Sequence, residues 1–246
     1  TVYFHGKGTV LDNAIRAKQL GLKQIGITDH GFSHLAFAMK RQDIPALVRD
    51  CKAAESVTGI KVLAGLENNI LGLSGKCDFT KEDYEHFDLF LAGVHVHVKY
   101  EHGKDRKIGI WSMLRTKFNI KPSASLIKYT TQAYINAVKN NPIDVITHLN
   151  FRCFADAVEV AKCCRDYGTY LEISSKKSHL TDEELQKVAD TGVRFLINSD
   201  AHSIDRVGDT ALAETQIMRV GIPLSQIDNI EGRMPEFRFA EYKKHL

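Results

Sequence analysis

Six short runs rich in Ile, Val, Leu and Phe recur along the chain, each parted from the next by longer, helix-patterned stretches. They fall at residues 24–28, 61–66, 88–94, 144–147, 169–173 and 193–198. Helical periodicity occupies residues 9–20, 44–57, 123–139, 155–167, 181–190 and 210–220. Gly21, Gly59, Gly168, Gly192 and Gly221 stop five of these helices. Thr9-Val10-Leu11-Asp12 and Thr181-Asp182-Glu183-Glu184 read as capping boxes, and Pro45 stands in the first turn of its helix. Strand, helix, glycine, strand is the rhythm of a parallel sheet with helical crossovers. The strands are apolar along most of their length, as strands covered on both faces are. An open doubly wound sheet and a closed barrel both fit six strands. No GxGxxG or GxxxxGK[ST] follows any strand, which disfavours the nucleotide-binding version.

The residues that follow these strands carry the chemistry. Asp29-His30 ends the first, Glu67 the second, and Val94-His95-Val96-His97 the third. His148 follows the fourth, and Asp200-Ala201-His202 follows the sixth. In a parallel α/β barrel those ends converge on one face, where active sites are built. A single histidine at a strand end is more often a cap or a core residue than a ligand; five strands ending in ligand-type residues point to a shared metal site. His97 alternates with His95, so in an extended segment both face one side. His34, His86, His102, His179 and His245 fall in loops or helices and are expected to face solvent.

The donor set is imidazole and carboxylate without thiolate, which suits Zn, Mn or Fe and argues against a structural zinc site. More than four candidates implies more than one ion, because one tetrahedral ion takes three or four protein ligands. Clustered ions suit phosphate esters: one lowers the pKa of a bound water, and its neighbours neutralise phosphoryl and leaving oxygens.

Gly26-Ile27-Thr28-Asp29-His30-Gly31, Gly65-Leu66-Glu67-Asn68, Gly93-Val94-His95, Ile146-Thr147-His148 and Asn198-Ser199-Asp200-Ala201-His202 together resemble the PHP (polymerase and histidinol phosphatase) family. The ordered set spans nearly the whole chain. The resemblance implies a distorted (β/α)7 TIM-like barrel as one domain over residues 1–246, with two to three divalent ions and metal-dependent phosphoesterase activity. It implies His5, His30, Glu67, His95, His148, Asp200 and His202 as ligands, Glu67 bridging, and Asp29 orienting its neighbours. His95, Glu67 and Asp200 would take part in catalysis. The family opens with an HxH motif at the end of its first strand, then a Thr and, a few residues on, a His. Here Thr1 and His5 are present with nothing before them. The expectation is that the natural protein carries upstream residues holding that strand and two further ligands.

Phosphate requires cations or backbone N–H groups. Lys7 in the Gly6-Lys7-Gly8 turn, Arg152 after His148, Lys176 or Lys177 after the fifth strand, and Arg206 after His202 are the candidates. The polar loop at residues 99–107 leads to the only tryptophan, Trp111, and could shape substrate choice. The alternating residues 236–242 read as a final strand or a contact surface.

Composition bounds the alternatives. The chain has 246 residues, 43% hydrophobic and 26% charged, an ordinary soluble globular balance with enough length for a core. A net charge of +3 without a clustered basic face gives little ground for nucleic-acid binding. No apolar run nears the roughly 18 residues of a membrane span. Five cysteines without a CxxC pair read as reduced thiols of a cytoplasmic protein. The leading expectation is a phosphatase acting on a small phosphorylated metabolite. A non-catalytic or nucleic-acid-associated PHP module is the alternative, and an amidohydrolase barrel is set aside because Glu67 stands where that family commonly has a modified lysine.

Overall fold

A computed structural model describes all residues except 2, 4 and 5. Six parallel strands lie side by side in chain order and curl into a half-barrel. They are β1 (Gln24–His30), β2 (Lys61–Asn69), β3 (Leu89–Gly93), β4 (Val145–Ile146), β5 (Tyr170–Ser174) and β6 (Phe195–Asn198). The helices are α1 (Val10–Gln19), α2 (Ile44–Thr58), α3 (Ser112–Lys117), α4 (Ala124–Asn140), α5 (Ala157–Tyr167), α6 (Asp182–Ala189), α7 (Ala211–Val220) and α8 (Arg238–Lys243). The six-strand alternation read from the sequence is therefore present. The seventh strand of a (β/α)7 barrel is not among the described residues.

Strand parity sorts the side chains between two cores. Val62, Ala64 and Leu66 of β2, Phe90 and Ala92 of β3, and Leu171 and Ile173 of β5 pack outward against the helices. There they meet Val10 and Ala14 of α1, Leu47 and Cys51 of α2, Tyr134 of α4 and Val160 of α5. The alternate residues Leu63, Leu89, Leu91, Val145, Tyr170 and Leu196 form a smaller inner cluster with Phe237 packed against it. Because side chains alternate along a strand, Glu67 shares the inner face with Leu63, and Glu172 shares it with Tyr170. One periodicity thus fills the inside of the half-barrel with aliphatic groups and sets charged ones at its C-terminal rim.

β1 and β6 are the two edges of the sheet. The β6 edge is covered by the segment at residues 227–229. Asn229 Oδ1 accepts from the Ile197 N–H at 2.9 Å, and its Nδ2 donates to the Ile197 carbonyl at 2.7 Å. An amide side chain so substitutes for a neighbouring strand. Between the two edges lies a cavity of about 630 Å³, lined by β1, by Leu63, Leu89 and Leu91, and by the β6 end.

The alternating tail is a helix rather than a strand, with Glu236, Ala240, Glu241 and Tyr242 exposed. Residues 238–243 are helix α8, and Phe239 is fully buried against Phe79, Tyr84 and Phe90. The Phe239 N–H donates to the buried Asp144 carboxylate at 2.7 Å. All five cysteines are free and buried. Among the described residues no helix is long and apolar enough to cross a membrane.

Candidate metal centre

β1 and β2 pair so that His30 and Glu67 are direct cross-strand partners. Both point inward, and His30 Nδ1 lies 3.1 Å from Glu67 Oε2. Two further rings meet the other carboxylate oxygen: His148 Nε2 at 2.8 Å and His95 Nε2 at 3.4 Å from Glu67 Oε1. The His95 and His148 Nε2 atoms are themselves 3.2 Å apart. Gly93 makes this approach possible, since a β-carbon there would strike Thr147 and the His148 ring. His148 sits at φ 32°, a left-handed conformation that costs a non-glycine residue about 1–3 kcal/mol. The turn redirects the chain immediately after the two-residue strand β4.

Glu172 holds that turn. Its Oε2 accepts from the His148 backbone N–H at 2.7 Å, and its Oε1 accepts from Asn198 Nδ2 at 3.2 Å. Three strand ends are tied together by one carboxylate. The sequence reading passed over Glu172, although a lone charge inside the apolar run Tyr170-Leu171-Glu172-Ile173 was a usable signal.

The electrostatics follow from this packing. Burial opposes charge on Glu67, yet the His95 and His30 rings and hydrogen bonds from His148 and His30 outweigh it and hold the carboxyl well below the usual carboxylate range. Burial pulls His95 down to about 4 although Glu67 resists. Burial also disfavours the His148 cation, but Glu67, Glu172 and Asp200 push that ring up to about 9. Glu172 is pushed up to about 7, mostly by burial and partly relieved by His148.

The β6 end carries the other donors. Asp200, at φ 44°, and His202 lie on the wall of the same cavity as His30 and Glu67. His202 Nδ1 is 2.9 Å from the Asp200 carbonyl oxygen and 3.4 Å from its carboxylate. Lys176 Nζ stands 2.9 Å from Asp200 Oδ2 and 3.1 Å from His202 Nδ1, a cation between two metal-ligand types.

Not every expected residue joins this group. His5 lies outside the described residues. Asp29 accepts from the Thr1 hydroxyl at 2.6 Å and, among the described residues, makes no hydrogen bond to a histidine. His97 is exposed: β3 ends at Gly93, so strand alternation no longer governs residues 95–97. Lys7 lines the cavity and donates its backbone N–H to the His202 carbonyl at 2.8 Å. Arg152 is exposed, with its guanidinium 5.0 Å from the Phe151 ring. The Arg206 guanidinium bonds Asp209 and the Ser175 carbonyl. Neither arginine lines the cavity.

Two of the histidines expected in solvent are elsewhere. His34 is buried and stacked on His30, with centroids 5.2 Å apart. His179 is half-buried and meets His148 and Phe151 edge-on. Their loops fold back over the rim, which sequence spacing could not reveal. His86, His102 and His245 are exposed.

The donors fit a divalent metal. His30, Glu67 and His95 offer ligand atoms all within 4.8 Å of one another. The Nδ1 atoms of His95 and His148 are buried without a hydrogen-bond partner among the described residues, while both Nε2 atoms crowd one carboxylate oxygen. Imidazoles and a carboxylate converging in this way have the chemistry of a transition-metal ligand set. A second group, Glu101, His102 and Asp105, differs in kind. There the Asp105 carboxylate is taken up by the Leu73 and His102 N–H groups and the Tyr129 hydroxyl.

A curled parallel sheet gathering imidazoles and carboxylates at its C-terminal rim defines an α/β protein with a candidate metal site. The chain belongs to the PHP domain family, whose model matches residues 1–176. A protein of Thermoanaerobacter sp. (strain X514) named a probable phosphatase is 27% identical over 255 residues, covering 98% of this chain and 91% of its own. A probable phosphatase of Vibrio campbellii is 26% identical over 238 residues, covering 91% of this chain and 82% of its own. Among solved structures, histidinol phosphate phosphatase from Lactococcus lactis, complexed with zinc, L-histidinol and phosphate, shares the fold. Its TM-score is 0.54 at 16% identity, over 91% of this chain and 92% of that one.

Proposed function

We propose that the chain is a metal-dependent phosphoesterase that hydrolyses a small phosphorylated metabolite, with histidinol phosphate the first candidate. The observation that carries this reading is the gathering of His30, His95 and His148 around the single carboxylate of Glu67. Relatives named as phosphatases support the reaction class, and the zinc, histidinol and phosphate of the Lactococcus structure support the substrate.

His30, Glu67, His95 and His148, with Asp200 and His202 beside them and His5 from the family motif, would hold two to three ions. Such ions supply Lewis acidity toward a phosphoryl group and lower the pKa of water. The protein's own contribution is arrangement. Glu67 offers one oxygen to His30 and the other to His95 and His148, which suits a bridging carboxylate. Glu172 sets the direction of His148 through its backbone. Lys7, on the wall of the cavity and bonded through its backbone to His202, is the cation proposed for the phosphate.

The test is metal analysis of protein purified without chelator, followed by phosphate release from L-histidinol phosphate and other phosphorylated metabolites. Two or three equivalents of Zn, Mn or Fe with chelator-sensitive turnover is the expected result. Full metal content without release of phosphate from any substrate would favour the non-catalytic module instead.

A further inference from the structure

We infer that His34 is a substrate-binding residue that donates a hydrogen bond from its Nε2–H to a phosphoryl oxygen; the inference rests on the phosphoesterase reading. His34 lies outside the ligand motifs, in the loop that follows β1. That loop is fixed on several sides. The Gly31 N–H donates to the Glu67 carbonyl at 2.8 Å, and the Asp78 carboxylate accepts from the Ser33 N–H at 2.7 Å. Gly31 has no room for a side chain, because a β-carbon would collide with that carboxylate. Across the rim, His34 and Val98 form an antiparallel bridge. It is flanked by bonds from the Leu35 N–H to the His97 carbonyl at 2.7 Å and from the Lys99 N–H to the Ser33 carbonyl at 2.8 Å.

The ring is fixed as firmly as the loop. It stacks between His30 and Phe37, with centroids at 5.2 and 5.3 Å, and lies 6.2 Å from His95. Two backbone N–H groups aim at its Nδ1: Ala36 at 3.3 Å and Phe37 at 3.1 Å. An atom that accepts from two donors cannot carry a proton of its own, so the neutral ring has its proton on Nε2. This separates His34 from the ligand set. A metal on Nε2 would move the ring proton to Nδ1 and drive it against both N–H groups. What remains is one neutral donor, next to the His30, Glu67 and His95 triad. Nε2 makes no hydrogen bond among the described residues and is not fully enclosed, so the donor is open to a bound ligand. An anion bound at the triad supplies an acceptor.

The experiment measures binding of inorganic phosphate to the zinc-loaded full-length protein by calorimetry, with metal content read on the same samples. His34→Asn keeps an acceptor at the place of Nδ1 and removes the Nε2 donor; His34→Gln presents an amide N–H near Nε2. His34→Leu fills similar space with no donor and is the second donor-free variant. The expected result is a loss of about 10- to 100-fold in phosphate affinity for His34→Asn and His34→Leu at unchanged metal content. His34→Gln should recover most of that loss. Equal phosphate affinity in all variants, or loss of zinc from His34→Asn, overturns the assignment. If zinc-loaded wild type itself binds no phosphate, the phosphoesterase reading falls with it. If wild type binds phosphate and His34→Asn binds it equally well, only the role of His34 falls.

Discussion

His30 and Glu67 face each other across the first strand pair, in register as cross-strand partners and 3.1 Å apart from Nδ1 to Oε2. The distance follows from backbone pairing, not from loop placement. Two strands of the same sheet therefore deliver an imidazole and a carboxylate as one preassembled unit, to which His95 and His148 are added from the next two strand ends.

Among the described residues, Glu67 is the only carboxylate that reaches all three rings. Glu67→Gln keeps the shape and removes the charge. Metal content and turnover should fall together, with kcat/KM down by at least about 100-fold, or roughly 3 kcal/mol of transition-state stabilisation. Elemental analysis beside initial-rate kinetics checks this. Normal metal loading with normal turnover would falsify the bridging role.

Glu172 is bonded to the backbone of His148 and the side chain of Asn198, and through them would orient the proposed metal ligands. Glu172→Ala leaves the His148 N–H without its acceptor and loosens the left-handed turn at His148. Metal affinity should drop about 10- to 100-fold, the usual penalty for removing a group that orients a ligand. Glu172→Gln, which keeps one acceptor, should lose less. Titration of apo-protein with zinc against a competing chelator measures both. Unchanged affinity in Glu172→Ala removes the residue from the site.

Phe239 anchors the C-terminal helix in the aromatic cluster of Phe79, Tyr84 and Phe90. Phe239→Ala should destabilise the fold by about 3–5 kcal/mol, the range for a buried aromatic truncated to alanine. Chemical denaturation gives the number. A loss below about 1 kcal/mol would mean that α8 adds little to the core.

Asp144 predicts a pH dependence away from the metal site. Burial pushes its carboxyl up to about 7, against the opposing bonds from the Phe239 and Phe90 N–H groups and the charges of Arg238 and Lys243. In the unfolded chain an aspartate titrates near about 3.9. The folded state therefore holds the proton more tightly. The associated stability is complete below about pH 4 and is lost as pH rises to about 7. Asp144→Asn has no proton to lose. The stability of wild type relative to this variant should decline across that window and level off above it, as followed by thermal melts at several pH values. A difference that stays constant with pH contradicts the assignment.

The sheet was legible because its signals are local. Apolar runs of strand length, capping boxes at Thr9 and Thr181 and glycine stops are set by backbone chemistry within a few residues. The observed strands follow them closely. The metal-type residues at the strand ends were legible for a related reason: chain order and sheet order coincide, so residues that end successive strands become neighbours on one rim. The tail at residues 236–242 misled because apolar alternation over a few residues suits a strand and a short helix alike, and burial of Phe239 beside Asp144 decided for the helix.

Burial of His34, its stacking on His30 and its choice of tautomer depend on residues 97–99, Asp78 and two backbone N–H groups. None of these contacts leaves a mark in sequence spacing. Exposure of His97, beside the buried His95, turns on where hydrogen-bonded pairing stops at Gly93. The amino-acid order by itself determined which residues could form strands and which ligand types would stand at their ends. Which imidazoles meet Glu67, which ones the loops bury, and which arginines are already engaged were decided only in three dimensions. Side-chain direction past the end of a strand is set by long-range contacts rather than by periodicity.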